Sequence, residues 1–245
     1  MKKLAGLILI AAAVAGCGKT ITYSNDYSAA TVINASPSSP IFNVIVDNIN
    51  QTGASLVYKG SSGYLNLRPG ARNIIFQSNN PVLPVNYVSL PAENFVTNTA
   101  STFVVYDTLL TPTGTLRSIR LSDTLNVPPS GYISIRYIPV APKAVASDIT
   151  FLRTTVTPND SVTITNQNYI GPAPTATTIA ALSRFIQIPA GNYTIKQKAA
   201  GTQTVLASAP LTTTVGGIYK GIFTIYSTGT AQGQPLVLGT IRHYP

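Results

Sequence analysis

The feature that most constrains the fold is a series of short runs rich in Val, Ile, Thr, Tyr and Phe. From residue 29 onward, Pro, Gly and Asn interrupt these runs about every 8 to 12 residues, a spacing that is typical of β-sandwiches and barrels. We find no amphipathic helical pattern in this region. The predicted strands of the first half are 30–35, 42–47, 55–59, 64–67, 72–77, 86–90, 102–107 and 115–121. Residues 73–76, Asn-Ile-Ile-Phe, alternate too little for a one-sided strand and are predicted to lie centrally in a sheet.

The two halves of the chain repeat one pattern. The matched segments are 32–37 with 137–142, 43–46 with 148–151, 64–70 with 185–191 and 103–106 with 223–226. Between the halves, residues 126–131 read Asn-Val-Pro-Pro-Ser-Gly, and two prolines stiffen the chain as at a domain boundary. The sequence therefore predicts two tandem antiparallel β-sandwich domains, residues 29–126 and 132–245, joined by a linker at 127–131.

Two of the repeated motifs carry a resemblance to a known family. Asn-Ala-Ser-Pro at 34–37 and Ile-Pro-Ala-Gly-Asn-Tyr-Thr-Ile at 188–195 resemble an uncharacterised lipoprotein domain found singly or in tandem in exported bacterial proteins. The resemblance runs from about residue 29 to the C-terminus and implies immunoglobulin-like sandwiches without a settled function. The chain departs from the family at Asn43, where the family has Asp, and at 139–141, Pro-Val-Ala instead of Asn-Ala-Ser. A site that relied on those residues would differ between the two copies.

The matched positions also have structural roles. Gly70 and Gly191 are predicted to supply positive φ in hairpins. Asn34 and Ser36 are predicted to cap a turn through side-chain to backbone hydrogen bonds. Four matched aromatic residues are predicted to lie in the cores: Tyr64, Phe103, Phe185 and Phe223.

The first residues predict an exported lipoprotein. Lys2 and Lys3 precede an uncharged apolar run at 4–14, too short to cross a hydrocarbon core that needs about 20 residues. Val-Ala-Gly-Cys at 14–17 resembles a lipoprotein signal, which implies cleavage between Gly16 and Cys17 and lipidation of Cys17, including palmitate. A plain secretory signal with a Cys just beyond its cleavage site is the alternative.

These assignments divide the N-terminal region. Residues 1–16 are the predicted signal peptide, and residues 17–28 are a lipidated polar tether. Gly18, rather than Asp, after Cys17 resembles signals sorted to the outer membrane, while the membrane face stays open. Because Cys17 is the only cysteine, lipidation leaves no thiol for disulfide or thiolate chemistry.

The charge pattern argues against a nucleic-acid partner. The formal net charge is +9, but charged residues make up only 9% of the chain. Lys and Arg are spread along the chain and form no basic stripe, so we expect no nucleic-acid binding.

The residue inventory argues against catalysis. His243 is the only histidine and lies two residues from the C-terminus, so a Ser-His dyad would depend on a tail that is expected to fray. The seven acidic residues form no close pair and no calcium-loop spacing. We therefore expect no enzyme activity, no metal site and no cofactor.

The second half carries an insertion. The repeat spacing grows from 105 to 121 residues, and the extra residues are placed at 165–181. This segment contains Tyr169, Pro172 and Pro174, an aromatic on a proline-stiffened loop that is a candidate ligand-binding site. A passive insertion or an extra edge strand is the alternative.

Three Asp-Thr/Ser-aliphatic triplets resemble acceptors for O-glycans in some exported Gram-negative proteins. The hydroxyls concerned are those of Thr108, Thr124 and Ser161. Since Thr and Ser are abundant, chance matches are expected.

Two function classes stay open. The first is a lipid-anchored binding or adhesion module that recognises a glycan or a protein. The absence of Trp argues against a sugar-stacking platform, although 13 Tyr could substitute. The second is a structural subunit of an envelope or fimbrial assembly that uses β-edge pairing. In both classes the membrane is contacted through the lipid on Cys17.

Overall fold

A computed structural model describes residues 26–38, 41–109, 116–153, 160–215, 218–219, 221–230 and 233–244. The first eight strands are β1 (Ser28–Asn34), β2 (Phe42–Val46), β3 (Ile49–Asn50), β4 (Leu65–Leu67), β5 (Gly70–Ser78), β6 (Asn86–Phe95), β7 (Ala100–Tyr106) and β8 (Arg117–Asp123). The second half contains β9 (Tyr132–Pro139), β10 (Ser147–Arg153), β11 (Ser161–Gln167), α1 (Ala176–Leu182), β12 (Ile186–Pro189), β13 (Tyr193–Ala199), β14 (Val205–Leu211), β15 (Thr214–Val215), β16 (Ile218–Tyr219), β17 (Ile222–Thr228) and β18 (Val237–Tyr244).

The two halves have the same strand order. The first sandwich consists of two sheets, with the strand orders β4-β1-β7-β8 and β3-β2-β5-β6. The second consists of sheets with the orders β12-β9-β17-β18 and β11-β10-β13-β14. In each sandwich one pair is parallel, β1 with β7 and β9 with β17, and the other pairs are antiparallel. β15 and β16 form a separate ribbon. The predicted all-β tandem sandwich is confirmed.

Burial along the strands shows which sheets are covered on both faces. β2, β10 and the inner part of β5 alternate between buried and half-buried residues, as expected of sheets with one face toward a core. By contrast, β1, β7 and β17 are buried at every residue. We call the sheets that contain β1 and β9 the inner sheets, and those that contain β2 and β10 the outer sheets.

The two inner sheets pack against each other. Along β1, Val32 belongs to the core of the first sandwich, whereas Ile33 belongs to a third core between the sandwiches. Along β9, Tyr137 faces the second core and Ile138 faces the third. The third core contains Ile33, Ala35, Val104, Tyr106, Ile119, Leu121, Ile138, Val140, Tyr226 and Ile241. The body is therefore a stack of four sheets, and all four lie within residues 26–244.

A glycine makes one of the contacts between the sandwiches possible. Gly239 lies opposite Tyr226 in the β17–β18 ladder. A Cβ on Gly239 would lie 2.2 Å from Cζ of Tyr226, so only glycine leaves room for this fully buried ring. The Tyr226 hydroxyl then donates to the Lys59 carbonyl in the first sandwich at 3.2 Å.

Several local predictions are confirmed. Residues 73–76 lie in β5, a central strand between β2 and β6. The Ser36 backbone N–H donates to Oδ1 of Asn34 at 3.4 Å, and both residues are fully buried. Phe103 and Phe223 lie in the first and second cores, but Tyr64 and Phe185 are half-buried and contact the interface between the sandwiches instead.

Two predictions of local structure are wrong. Residues 55–59 do not form a strand, because Leu56 makes only an isolated bridge to Phe42 and Lys59 adopts φ +64°. Gly70 has the predicted positive φ, +100°, but it joins β4 to β5, which belong to different sheets, so the connection is a crossover and no hairpin. The second half also contains α1, a helix of seven residues without a buried side chain, which is shorter than the about 11 to 18 residues over which an amphipathic pattern is recognised.

Candidate functional site

The inserted segment of the second sandwich forms a cleft. Residues 165–181, predicted as a loop, form the end of β11, a loop and most of α1. Together with neighbouring residues they form an open cleft of about 500 Å³ lined by Pro139, Gln167, Asn168, Tyr169, Ile170, Thr175, Thr177, Thr178, Ala181 and Leu182. Of the three predicted contact residues, Tyr169 lines the cleft. Pro172, which is exposed, and the half-buried Pro174 are not part of the lining.

Local hydrogen bonds shape the insertion. The backbone N–H of Ile170 donates to the Pro139 carbonyl at 3.1 Å, which ties the loop to the end of β9. Thr175 caps α1, since its hydroxyl accepts from the backbone N–H of Thr178 at 3.2 Å. Ser183 follows α1, and its hydroxyl accepts from the backbone N–H of Ser122 in β8 at 3.1 Å. Both ends of the insertion are thus fixed to the inner sheets.

The first sandwich holds the aromatic side of the cleft. The Tyr169 hydroxyl donates to Oδ2 of Asp107 at 3.1 Å, and Arg117 Nε donates to the same carboxylate oxygen at 3.1 Å. The Tyr106 hydroxyl donates to the Gly171 carbonyl at 3.1 Å, and the Tyr106 and Tyr169 rings meet edge to face at 6.4 Å. The cleft therefore depends on residues from both sandwiches.

The two tyrosine hydroxyls of this contact stay protonated near neutral pH. Burial raises the pKa of Tyr106 to about 12. Burial, reinforced by the Asp107 carboxylate, raises the pKa of Tyr169 above its ordinary value. Both hydroxyls therefore remain donors, which the two hydrogen bonds require.

The lining of the cleft is uncharged. Its polar groups are the amides of Gln167 and Asn168 and the hydroxyls of three threonines and Tyr169. Its apolar groups come from proline, isoleucine, alanine and leucine side chains. Such a surface can hydrogen-bond hydroxyls and amides while covering an apolar face of a ligand, and it offers no lining group to pair with a charged ligand.

A second cluster of polar groups is buried between the inner sheets. Arg136 of β9 forms an ion pair with Asp123 of β8, with Nη2 and Oδ1 2.7 Å apart and side chains 1% and 0% exposed. Arg136 also donates from Nη2 to the Thr102 hydroxyl at 2.8 Å and from Nε to the Thr224 hydroxyl at 2.7 Å. The guanidinium carbon lies 4.5 Å from the centre of the Phe185 ring. This pair joins the two sandwiches through charge as well as apolar packing.

His243 completes this group of side chains, which we call the buried polar cluster. Its members are Tyr64, Thr102, Asp123, Arg136, Thr224 and His243. Tyr64 Oη lies 2.7 Å from Oδ2 of Asp123 and 2.6 Å from Nδ1 of His243, and Nε2 of His243 lies 2.6 Å from Oγ1 of Thr224. An ionised carboxylate only accepts, so Tyr64 donates to Asp123 and Nδ1–H of His243 donates to Tyr64. Thr224 then donates to Nε2, which assigns neutral His243 with its proton on Nδ1.

The position of His243 corrects the expectation of a frayed tail. His243 lies in β18, is 8% exposed and contacts the Tyr64 and Phe185 rings. Burial lowers its pKa to about 4, against an opposing effect of Asp123 and a further lowering by Arg136. Both imidazole nitrogens are hydrogen-bonded within the buried polar cluster, to Tyr64 and to Thr224. The arrangement therefore serves a structural purpose and leaves no nitrogen for a substrate.

Other predicted site residues are placed as follows. Gly16 and Cys17 lie outside the described residues. Thr124 and Ser161 are exposed and Thr108 is half-buried. In the described part of the chain, no three His, Cys, Asp or Glu side chains are grouped to hold a metal ion. No helix in those same residues combines the length and the apolar character needed to span a membrane.

The four stacked sheets and the repeated strand order define a tandem β-sandwich protein. The chain belongs to the family described as domain of unknown function (DUF4397), whose sequence model matches residues 28–150. The match covers the first sandwich and continues into β10. None of the curated proteins compared matches the chain.

The chain also has a match among solved structures. It is the crystal structure of a Parabacteroides distasonis protein described as a "putative cell adhesion protein". The alignment covers 89% of this chain and 99% of that chain, with 9% sequence identity and a TM-score of 0.23.

Proposed function

We propose that this protein is a non-enzymatic, lipid-anchored protein of the bacterial cell envelope that binds an uncharged glycan or protein segment in the insertion cleft. The observation that carries the proposal is the cleft itself, which has an uncharged lining and is held in shape by both sandwiches. Pockets with a few fixed polar groups among apolar ones are the usual form of ligand sites.

The position of the cleft suits display away from a membrane. Ser28, the first residue of β1, follows the proposed tether, and β1 runs beside the start of β7 at Ala100. The cleft lies beside Tyr106 and Asp107, at the other end of β7. Seven strand residues separate the two ends, about 20 Å at the usual rise. A body anchored through Cys17 would therefore present the cleft on its far end.

Binding is tested with the body, residues 26–245, which contains every described strand. We expect at least one neutral glycan or uncharged peptide to bind and to raise the melting temperature. Asn168→Ala and Thr177→Ala are each expected to weaken binding about fivefold, because each removes one hydrogen bond worth about 1 kcal/mol. Isothermal titration calorimetry measures the change.

Thr212→Ala is the matched control, since Thr212 is exposed and does not line the cleft. It is expected to bind as tightly as the parent protein. If all three variants bind alike, the ligand sits elsewhere, and if neither a glycan array nor a panel of neutral peptides gives a ligand, the proposed function is rejected.

The anchor has its own test. In a bacterial host that processes lipoproteins, the full chain is expected in the membrane fraction, with an intact mass that shows loss of residues 1–16 and acylation of Cys17. Cys17→Ser is expected to move the protein to the soluble fraction, whereas Gly18→Ala keeps the lipid. A cleaved, unacylated chain would instead support a plain secretory signal. The same mass measurement detects glycans on Thr108, Thr124 or Ser161.

An assembly role is the second candidate, and it is favoured by one feature of the second outer sheet. That sheet ends in an edge strand, β11, which has seven residues and contains neither proline nor a charged side chain.

A further inference from the structure

We propose that β11 is a dimerisation surface, at which a second copy of this chain adds its own β11 in antiparallel orientation. Among the described residues, β11 is an unpaired edge of the second outer sheet, and its residues 161–165 do not line the insertion cleft. Three features favour pairing at this edge: the contrast with the other outer edges, the direction of the backbone groups, and the self-complementary sequence of the strand.

The other edges of the outer sheets are protected. In the first outer sheet, β3 has only two residues, and β6 contains Pro91 followed by Ala92 at φ +55°, next to a shift in register. In the second outer sheet, β14 contains Pro210. Short strands, prolines and bulges are common ways to block edge pairing. In contrast, β11 has seven residues, without proline or charge. Its bulge, with Asn166 at φ +53° beside a register shift, follows Thr165 near the end of the strand and leaves residues 161–164 in regular register with β10.

The backbone of β11 offers hydrogen-bonding groups outward. The Arg153 N–H donates to the Asp160 carbonyl at 2.9 Å, and β10 pairs with β11 in register from Ile149–Ile164 to Leu152–Ser161. Because antiparallel strands alternate the direction of these groups, Val162 and Ile164 point theirs to β10, and Ser161 and Thr163 point theirs to the edge. No described residue pairs with the backbone of Ser161 or Thr163.

The sequence of β11 complements itself. In an antiparallel pair centred on Thr163, each Thr163 exchanges two backbone hydrogen bonds with its copy, and Ser161 lies opposite Thr165. Val162 lies opposite Ile164 on the inward face, where both already pack against the second core. The exposed side chains of β11 are three hydroxyls and the amide of Asn166, so no like charges meet although the chain is basic.

A twofold axis through Thr163 therefore joins two four-stranded outer sheets into one continuous sheet of eight strands. Twofold, self-complementary contacts are the commonest route to homodimers. A second copy also brings an edge of matching length and pattern, which an arbitrary partner strand does not guarantee.

Analytical ultracentrifugation of the body over a concentration series tests the proposal. We expect a reversible monomer–dimer equilibrium. Thr163→Lys should weaken the dimer at least tenfold, because it places two lysines directly opposite each other across the axis, with their Cα atoms about 5.5 Å apart. Ser89→Lys, at an exposed position of the edge strand β6, adds the same charge and is expected to leave the equilibrium unchanged.

Cysteine cross-linking provides a second measurement that does not depend on dimer affinity. The body contains no cysteine, so Thr163→Cys introduces a single thiol. Mild oxidation with a copper catalyst is expected to join two copies through residue 163, while Ser89→Cys stays monomeric. A body that is monomeric at all concentrations and does not cross-link at 163 overturns the proposal, and so does a dimer that Thr163→Lys leaves intact.

Discussion

Replacing Asp123 with alanine is expected to lower the free energy of unfolding by about 3–5 kcal/mol, the usual cost of breaking a buried ion pair. The substitution would leave the Arg136 guanidinium inside the protein without its counter-charge, and arginine cannot lose its proton under these conditions. It also removes the acceptor of the Tyr64 and Thr102 hydroxyls. Urea denaturation of the body measures the loss.

Two controls separate burial from charge in this prediction. Glu93→Ala breaks the half-exposed pair of Glu93 with Arg120, whose side chains are 28% and 27% exposed, and is expected to cost less than about 1 kcal/mol. The double variant Asp123→Leu/Arg136→Met removes both buried charges and is expected to be more stable than Asp123→Ala. A double variant as unstable as Asp123→Ala would show that the orphaned charge is not the cause.

Acidification is expected to destabilise the body through His243. Its pKa falls from 6.5 to about 4 on folding, so between these values the unfolded chain binds a proton that the folded chain does not. The contribution of neutral His243 is therefore fully present above pH 6.5 and is lost as the pH falls to about 4. The slope is about 1.4 kcal/mol per pH unit, and the total loss is about 3 kcal/mol.

The low pKa of His243 follows from the composition of the buried polar cluster. A proton on Nε2 of His243 would add a positive charge beside Arg136, and among the described side chains Asp123 is the one acidic group that acts on His243. It would also oppose the hydrogen bond that Thr224 donates to Nε2. The Tyr64 hydroxyl also contacts the imidazole, where it accepts the hydrogen bond from Nδ1.

His243→Gln isolates this effect, because glutamine retains a donor and an acceptor but does not titrate in this range. The difference in unfolding free energy between the two proteins is expected to change by about 3 kcal/mol between pH 7 and pH 4. NMR reads the titration directly, since the chain has one histidine. An imidazole that titrates near 6.5 in the folded body would contradict the assigned burial and tautomer.

The repeat could be predicted from the sequence because its signals are local. Alternating apolar residues and regularly spaced turn residues define the strands, and matched motifs define the two copies. The residues of α1 carried no such signal, since the helix spans only seven residues and buries no side chain, whereas an amphipathic pattern is recognised over about 11 to 18 residues. The insertion was located by a change in spacing, which fixes where the extra residues lie but gives no information about their shape.

The candidate site was predicted in part. Tyr169 was singled out as an aromatic on a proline-stiffened loop, and it lines the cleft. Its hydroxyl, however, is held by Asp107, 62 residues earlier in the chain, so the position of its ring is fixed by the other sandwich. Pro172 and Pro174 do not line the cleft, and no sequence signal distinguished them from Asn168 or Thr177, which do.

By itself, the sequence determined an all-β tandem repeat, because backbone propensity and the alternation of side chains act over a few residues. Only the tertiary structure decided that the two inner sheets pack face to face. In that contact both faces of β1, β7, β9 and β17 are covered. An apolar run in the sequence permits burial on both faces, but it does not show which sheet covers the second face. The buried polar cluster could not be predicted from the sequence either. Tyr64 and His243 are 179 residues apart and meet only after both sandwiches have formed. A histidine that appeared to belong to a loose end is therefore one of the groups that join the two halves of the protein.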